Sequence, residues 1–221
     1  MADQHQGFAA YCEAIYELAE DDLEVIQARI ADRLGVSRPA VSEMIRRMAT
    51  EGLVRVDGSI QLTDAGVALA ERIVRRHRLA ERFLTDVLDL SWAEAHRQAN
   101  RWEHVIDDSV ESALDRVLGR PTTCPHGNPI PGSDYIEPEV VLIKDVAVGA
   151  AFTVSRIPEE LEFAPGVLDF LEANTVVPGR SGVLTAASPD GSVTVSIDER
   201  VVGLGTFASS RILVLAEPVP A

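Results

Sequence analysis

The sequence predicts a mainly α chain with a small β domain at its C-terminal end. Three observations carry this reading. Two short segments of helical period meet at Gly35 and are followed by a hairpin signal at Asp57-Gly58. Two further helical patterns run from Asp64 to about Leu88 and from Trp92 to about Leu118. Beyond Val140 the period changes to two, with turn signals between short β-branched runs.

At the N-terminus, Phe8, Tyr11, Cys12, Ile15, Leu18 and Ala19 recur at helical spacing. Residues 7–20 therefore read as an amphipathic helix, with Glu13, Glu17 and Glu20 on its polar side and Asp21-Asp22 at its end. Ile26, Ile30, Ala31 and Leu34 form the stripe of a second helix, and Gly35 ends it because glycine accepts a left-handed backbone. Ser37 suits the N-cap of a third helix, Pro39 is tolerated in its first turn, and Val41, Met44, Ile45 and Met48 form its buried stripe. Val54 and Val56 alternate before Asp57-Gly58, and Ile60 and Leu62 after it; Asp-Gly is the preferred pair for a two-residue turn.

Helix, tight turn, helix and hairpin make a winged helix-turn-helix, assigned to residues 1–72. Its second helix would enter the major groove of double-stranded DNA with its N-terminal residues leading. Ser37, Arg38, Pro39, Ser42 and Glu43 then face DNA, with Arg46 and Arg47 further along. Arg29 adds to a mildly basic stretch between Val25 and Ile60. That local excess matters because the whole chain carries a net charge of −15, which opposes nonspecific association with DNA.

Thr63 can cap the long helix that follows. His77 and Glu81 sit four apart on it and share a face. After a break at Asp89-Leu90-Ser91, the pattern from Trp92 to about Leu118 predicts one further helix. On it His96, Asn100, Glu103 and His104 share a face, and Ala95, Ala99, Trp102, Val105 and Ile106 form the core stripe. Imidazole and carboxylate at this spacing suit divalent first-row metals. The competing interpretation is a solvated polar stripe. The Pro- and Gly-rich stretch Gly119 to Ser133 is non-helical, and in it Cys124 and His126, two apart, can present a thiolate and an imidazole to one ion.

Residues 133–145 read as a linker and 146–221 as a third domain. Val140 to Val146, at that junction, and Phe152 to Ile157 read as strands, Gly166 to Ala173 as one short helix, and Arg211 to Ala216 as the last strand. Several short strands with a turn at Asp190-Gly191 suggest a small barrel. Cys12 and Cys124 are too few for a disulfide framework and are expected as thiols or ligands. The opening residues lack a secretory pattern, and no apolar run approaches the roughly 20 residues of a membrane span. A cytoplasmic protein with no membrane partner is expected.

The winged helix, the strings HRLAERFL and NRWEHV, and the loop CPHGNPIPG, in this order, resemble the diphtheria-toxin-repressor (DtxR) family of iron- and manganese-dependent transcriptional regulators. The resemblance is continuous from about Tyr11 to Gly132. It implies a homodimer that grips a palindromic operator, with residues 73–132 as a helical metal-binding and dimerisation domain. It also implies two metal sites. In the first, Glu103 and His104 match family ligands, and Glu13 matches a first-helix acid of the manganese-type members. Asn100 stands where iron-type members carry Cys and manganese-type members Glu, and Ala10 where these branches carry Met or Asp, so this site is depleted. In the second, His77, Glu81, Cys124 and His126 match, and His96 matches a ligand of the iron-type branch. A carboxylate is expected from the third domain, where Glu162 is closest in register ahead of Glu159 and Glu160. The C-terminal pattern resembles the family's SH3-like (FeoA-type) domain.

The implied cofactors are Mn2+ or Fe2+, with Zn2+ or Co2+ as substitutes in vitro. No small organic ligand is expected. The implied function is a metal-dependent repressor of metal-homeostasis genes and not an enzyme, since the chain offers no phosphate loop or nucleophile motif that a metallohydrolase would need. The alternative is a winged-helix regulator with a structural metal, whose third domain senses a protein partner; its DNA binding would persist in chelator.

Overall fold

The computed structural model describes residues 2–216, with side chains from Gly7 onward. Helix α1 (Ala2–Glu20) starts earlier than the apolar spacing suggests and buries Phe8, Tyr11, Cys12, Ile15 and Leu18. Helix α2 (Gln27–Leu34) ends at Gly35, whose φ of 63° lets its amide reach the carbonyls of Ala31 and Asp32. Helix α3 (Arg38–Thr50) is capped by Ser37 and buries Val41, Ile45 and Met48 against α1 and α2. Strands β1 (Val54–Val56) and β2 (Ile60–Leu62) form the wing. Val56 pairs with Ile60, so the connection has three residues, Asp57 to Ser59, and not the two that Asp-Gly alone suggests.

Helix α4 (Asp64–Asp86) is capped by Thr63, whose hydroxyl accepts from the Gly66 amide. A Cβ on Gly66 would stand 2.1 Å from the Leu53 carbonyl, so only glycine lets α4 cross the wing this closely. The single helix expected after Ser91 is two: α5 (Trp92–Trp102) and α6 (Asp108–Val117). Asp107 supplies the reason. Its carboxylate accepts from the amides of Ser109 and Val110, both at 2.9 Å, and starts a new helix there. The break leaves Val105 78% exposed, against its expected place in the core, while Ile106 is buried as expected.

The third domain comprises β3 (Val141–Leu142), a 3-10 turn (Ile143–Asp145), β4 (Ala151–Arg156), α7 (Glu159–Glu162), α8 (Val167–Ala173), β5 (Ser181–Ala187), β6 (Val193–Ile197), β7 (Arg200–Leu204), α9 (Thr206–Ser209) and β8 (Leu213–Ala216). All pairings in its sheet are antiparallel, in the order β3-β8-β4-β5-β6-β7. The predicted strand from Val140 to Val146 reduces to β3, yet β3 and the following turn lie inside the expected linker and belong to this domain, since Ile143 is buried in its core. The β6–β7 hairpin turns on Asp198 and Glu199, both at positive φ, the conformation that matches the twist of the flanking strands.

This domain docks against both the helical body and the winged helix. Trp92 and Ala93, the first residues of α5, are buried in its apolar core. The Glu172 carboxylate on α8 accepts from the Trp92 amide at 3.1 Å, capping α5 from another domain. On the winged-helix side, the Arg33 guanidinium stacks 4.2 Å from the Phe163 ring centroid and pairs with Glu17 at 2.7 Å.

Candidate metal centre

Four elements converge on one buried point. One turn of α4 places His77 and Glu81 on the same face, and α5 brings His96 opposite them. The loop between α6 and β3 brings Cys124 and His126, and α7 brings Glu162. The loop is fixed to β4 by backbone. The Ile157 amide donates to the His126 carbonyl at 2.8 Å, and a Cβ on Gly127 would meet the Ser155 carbonyl at 2.2 Å. Gly127 also has φ of 89°, so no other residue suits this position.

The geometry is tight. Glu81 Oε1 lies 3.1 Å from His77 Nε2 and 2.9 Å from His96 Nδ1, and Glu81 Oε2 lies 3.6 Å from His126 Nδ1. Glu162 Oε2 lies 2.9 Å from His126 Nδ1 and 3.2 Å from His96 Nδ1. Cys124 Sγ is 3.9 Å from His126 Nδ1. On its other side His77 Nδ1 meets Glu103 Oε2 at 2.7 Å, and Glu13 joins this pair. Three donor triads result: Glu13–His77–Glu103, His77–Glu81–His96 and Glu81–Cys124–His126.

Charges in this cluster depend on one another. Burial works against a charged His77, yet Glu81 and Glu103 outweigh it and hold the imidazole well above its ordinary value. His96 is likewise raised to about 9, burial being overcome by Glu162 and Glu81. Glu162 is lowered to about 2: burial opposes this, and His126 outweighs it. Burial, with Glu103 beside it, pushes Glu13 up to about 8. Burial and then Glu81 raise the Cys124 thiol.

These residues fit a divalent first-row ion. Glu81 Oε2, Glu162 Oε2, His77 Nε2 and His126 Nε2 are buried without an aligned hydrogen-bond partner, although buried polar atoms normally have one. Imidazole, carboxylate and thiolate are the donors such ions take.

A second tier of buried polar residues holds the donors. Asn128 Nδ2 donates to Glu162 Oε1 at 2.6 Å and to the Ile157 carbonyl at 3.0 Å. Arg156 Nε donates to Asn128 Oδ1 at 2.5 Å, and its other nitrogen reaches Asp21 at 2.7 Å and Glu20 at 3.3 Å. Arg78, fully buried, pairs with Glu20 at 2.6 Å and Glu159 at 3.0 Å and donates to the Pro129 carbonyl. Sequence spacing gave no sign of this tier, apart from the rigid loop that carries Asn128. Of the three glutamates weighed for the third domain, Glu162 is at the cluster, Glu159 pairs with Arg78, and Glu160 pairs with Arg211.

Two expected metal residues are not drawn in. Asn100 is exposed on α5. His104, in the turn after α5 ends, keeps a third of its side chain exposed and stands 3.6 Å from Glu103 Oε1. His104 turns outward where α5 ends while Glu103 points inward, whereas Asn100, inside α5, is exposed although it lies one turn from buried His96. Ala10 supplies no donor.

On α3, Arg38, Pro39, Glu43 and Arg46 are exposed and Ser42 is half-buried. The Ser37 hydroxyl is engaged as the cap, accepting from the Ala40 amide at 3.4 Å. Arg46 Nε donates to the Ser42 carbonyl, and the Arg47 guanidinium stands 5.5 Å from the Phe8 ring centroid. Arg29 departs from the expected set: it lines a cleft with Asp32, Glu160, Phe163 and Phe207, on the side that faces the third domain.

Residues 8–59 match the iron dependent repressor N-terminal DNA binding domain, and residues 63–132 match the iron dependent repressor metal binding and dimerisation domain. Over 200 residues the chain is 40% identical to the iron-dependent repressor IdeR of Mycobacterium tuberculosis, covering 85% of this chain and 86% of that protein. The chain belongs to the iron-dependent repressor (DtxR) family. Its members include the diphtheria toxin repressor of Corynebacterium diphtheriae, 48% identical over 128 residues and 57% of each chain. Among solved DtxR-family structures, a manganese-dependent transcriptional repressor in complex with manganese superposes with a TM-score of 0.85 at 32% identity, over 95% of this chain and all of that one. The manganese regulator SloR superposes at 0.76 with 29% identity, over 95% and 98%. Iron- or manganese-dependent repression is the function of this family. No helix among the described residues is long and apolar enough to cross a membrane.

Proposed function

We propose that the protein is a cytoplasmic homodimeric repressor whose grip on a palindromic operator is set by Mn2+ or Fe2+ at the buried cluster. The observation that carries this is the origin of the donors. His77, Glu81, His96, Cys124, His126 and Glu162 come from two helices of the helical body, the loop beyond it and the third domain. A bound ion supplies the positive centre that these carboxylates and the thiolate require together.

Each residue then has a part. His77 links the two ends of the cluster, since one ring nitrogen faces Glu103 and the other Glu81. Glu162 ties the third domain to the helical body. Asn128 and Arg156 carry that tie on to Asp21 and Glu20 at the end of α1, inside the winged helix. Fixing these contacts fixes where each winged helix stands relative to α4, and so the spacing of two recognition helices in a dimer. Arg38, Pro39, Ser42, Glu43, Arg46 and Arg47 form the DNA-contacting set on α3. Residues 1–72 act as the DNA-binding unit and 73–132 as the metal-binding and dimerisation unit.

Fluorescence anisotropy on a labelled operator tests this with metal-stripped protein. Affinity is expected to rise steeply with Mn2+, or with Fe2+ under anaerobic conditions, and to collapse in chelator. Equal affinity with and without metal would overturn the reading and favour a regulator with a structural metal.

A further inference from the structure

Phe163 follows Glu162 at the C-terminal end of α7 and is 42% exposed. Core burial does not account for a phenylalanine left so open, since apolar stabilisation scales with the area removed from water. Its contacts do. The ring centroid stands 5.3 Å from that of the His96 imidazole, with the planes at 89°, an edge-to-face arrangement. The Arg33 guanidinium lies over the ring, 4.2 Å from its centroid. Phe163 thus meets a donor of the metal centre and a residue of α2, the first helix of the helix-turn-helix.

Arg33 depends on that ring. Its side chain is 5% exposed; Nη1 pairs with Glu17 at 2.7 Å, but Nη2 is buried with no hydrogen-bond partner among the described residues. A buried cation short of a hydrogen bond is costly, and an aromatic face is a group that can offset the loss. Beside this contact, α2 and the third domain are parted by a cleft of about 350 Å3, bordered by Arg29 and Asp32 on α2 and by Glu160 and Phe207 on the third domain. The other ties between the two domains run to the end of α1, where Glu20 and Asp21 meet Arg156. A tie at one place leaves rotation about it open. A second, at Arg33, closes that rotation, and it sits on the helix-turn-helix.

We infer that Phe163 is a positioning residue that couples the metal centre to the helix-turn-helix, its ring held by His96 on the metal side and holding Arg33 on the DNA side. The inference rests on the metal-sensing reading and names a route through it. With His96 and Glu162 both engaged as ligands, the backbone of Phe163 and the surface its ring packs on are fixed together, and Arg33 has its platform in one place. With neither engaged, the half-exposed ring can turn and α2 loses the contact. The two states then differ by one desolvated cation–π contact, which carries about tenfold in operator affinity.

Anisotropy with operator DNA at saturating Mn2+ and in chelator, on the full-length protein, gives a coupling factor, the ratio of the two Kd values. Phe163→Leu keeps apolar bulk and removes the ring. It should bind as many Mn2+ ions as the wild type while its coupling factor falls about tenfold. Arg33→Met should lose the same factor, and the double variant no more than either single one, because all three remove one contact. Phe163→Tyr keeps the ring and should retain the wild-type factor. Linkage requires the converse as well: the gain in Mn2+ affinity on adding operator falls by the same factor in Phe163→Leu. A merely structural role would shift urea unfolding and leave the coupling factor alone. An unchanged factor in Phe163→Leu, or losses that add in the double variant, overturns the inference. Should these variants fail to fold, pentafluorophenylalanine placed at position 163 keeps the shape of the ring and cancels its electron-rich face; a wild-type coupling factor there also overturns the inference. A wild type whose operator response ignores metal overturns the proposed function instead.

Discussion

The indole of Trp92 stands edge-on to the imidazole of His126, with ring centroids 4.6 Å apart and planes at 90°. Any change in charge or ligation at His126 therefore occurs against a fluorophore. Trp102, the other tryptophan, is half-buried beside Phe83, with ring centroids 6.3 Å apart. Mn2+ or Co2+ titration is expected to change tryptophan emission in the wild type and to leave Trp92→Phe silent. A full signal in Trp92→Phe would move the reporter away from the cluster.

Among the described residues Asn128 is the sole side chain that donates to Glu162 Oε1, and it also accepts from Arg156. Asn128→Ala removes a hydrogen-bond donor to a ligand and orphans a buried guanidinium nitrogen. We expect Mn2+ affinity to fall about 10- to 100-fold, the usual effect of losing an outer partner of a metal ligand. Stability should fall by about 1–3 kcal/mol, the cost of an unsatisfied buried polar group. Calorimetric titration and urea unfolding measure the two, and an unchanged Kd would take Asn128 out of the metal centre.

Arg78 is fully buried between Glu20 and Glu159. Arg78→Met leaves Glu159 without its cation and Glu20 with Arg156 alone, 3.3 Å away. A loss of about 3–5 kcal/mol in unfolding free energy is expected, as for breaking a buried ion pair from one side. Adding Glu159→Gln should restore part of it, and a double variant no better than the single one would contradict the pairing.

Arg38 opens α3 and is exposed, whereas Arg47, also exposed, stands 5.5 Å from the Phe8 ring centroid. Arg38→Ala should cost about 1–3 kcal/mol of operator affinity if it reads a base, with relaxed preference at one position. Arg47→Ala should weaken all sequences alike and reduce the salt slope by about 1 if it contacts phosphate. Anisotropy on the operator and single-base variants at several salt concentrations separates these roles.

Asp21 links the winged helix to Arg156, and burial raises its carboxyl from 3.8 to about 7, outweighing the pull of Arg156. Between those values the folded chain holds a proton that the unfolded chain has lost. Stability must then fall as pH rises through this window and level off above about 7, by up to about 1.4 kcal/mol per pH unit. Asp21→Asn should flatten that part of the stability–pH profile, and an identical slope in the variant would show that Asp21 stays ionised throughout.

The residues nearest the cluster were legible because short-range order places them. His77 and Glu81 are one helical turn apart, and Cys124 and His126 share a rigid loop. Glu162 followed from register in the resemblance. What spacing could not show is whatever depends on contacts between distant segments. Asn128 meets Arg156 across 28 positions, and Arg156 meets Asp21 across 135. No periodicity encodes either pairing. The helix break was missed for a local reason: Asp107 competes as an N-cap inside a pattern that is otherwise helical, and the chain between Trp102 and Asp107 leaves His104 and Val105 outward.

The place of Trp92 has a consequence for how this chain is inherited. Its backbone belongs to the helical body, but its ring completes the interior of the C-terminal domain. That domain is therefore not a cassette that can be exchanged at the segment joining it to the rest. A recombinant splice in residues 133–140 would import a partner with no pocket for the indole and would leave the original domain with a hole. The two parts are expected to be passed on as one unit, with residue 92 and its pocket changing in concert.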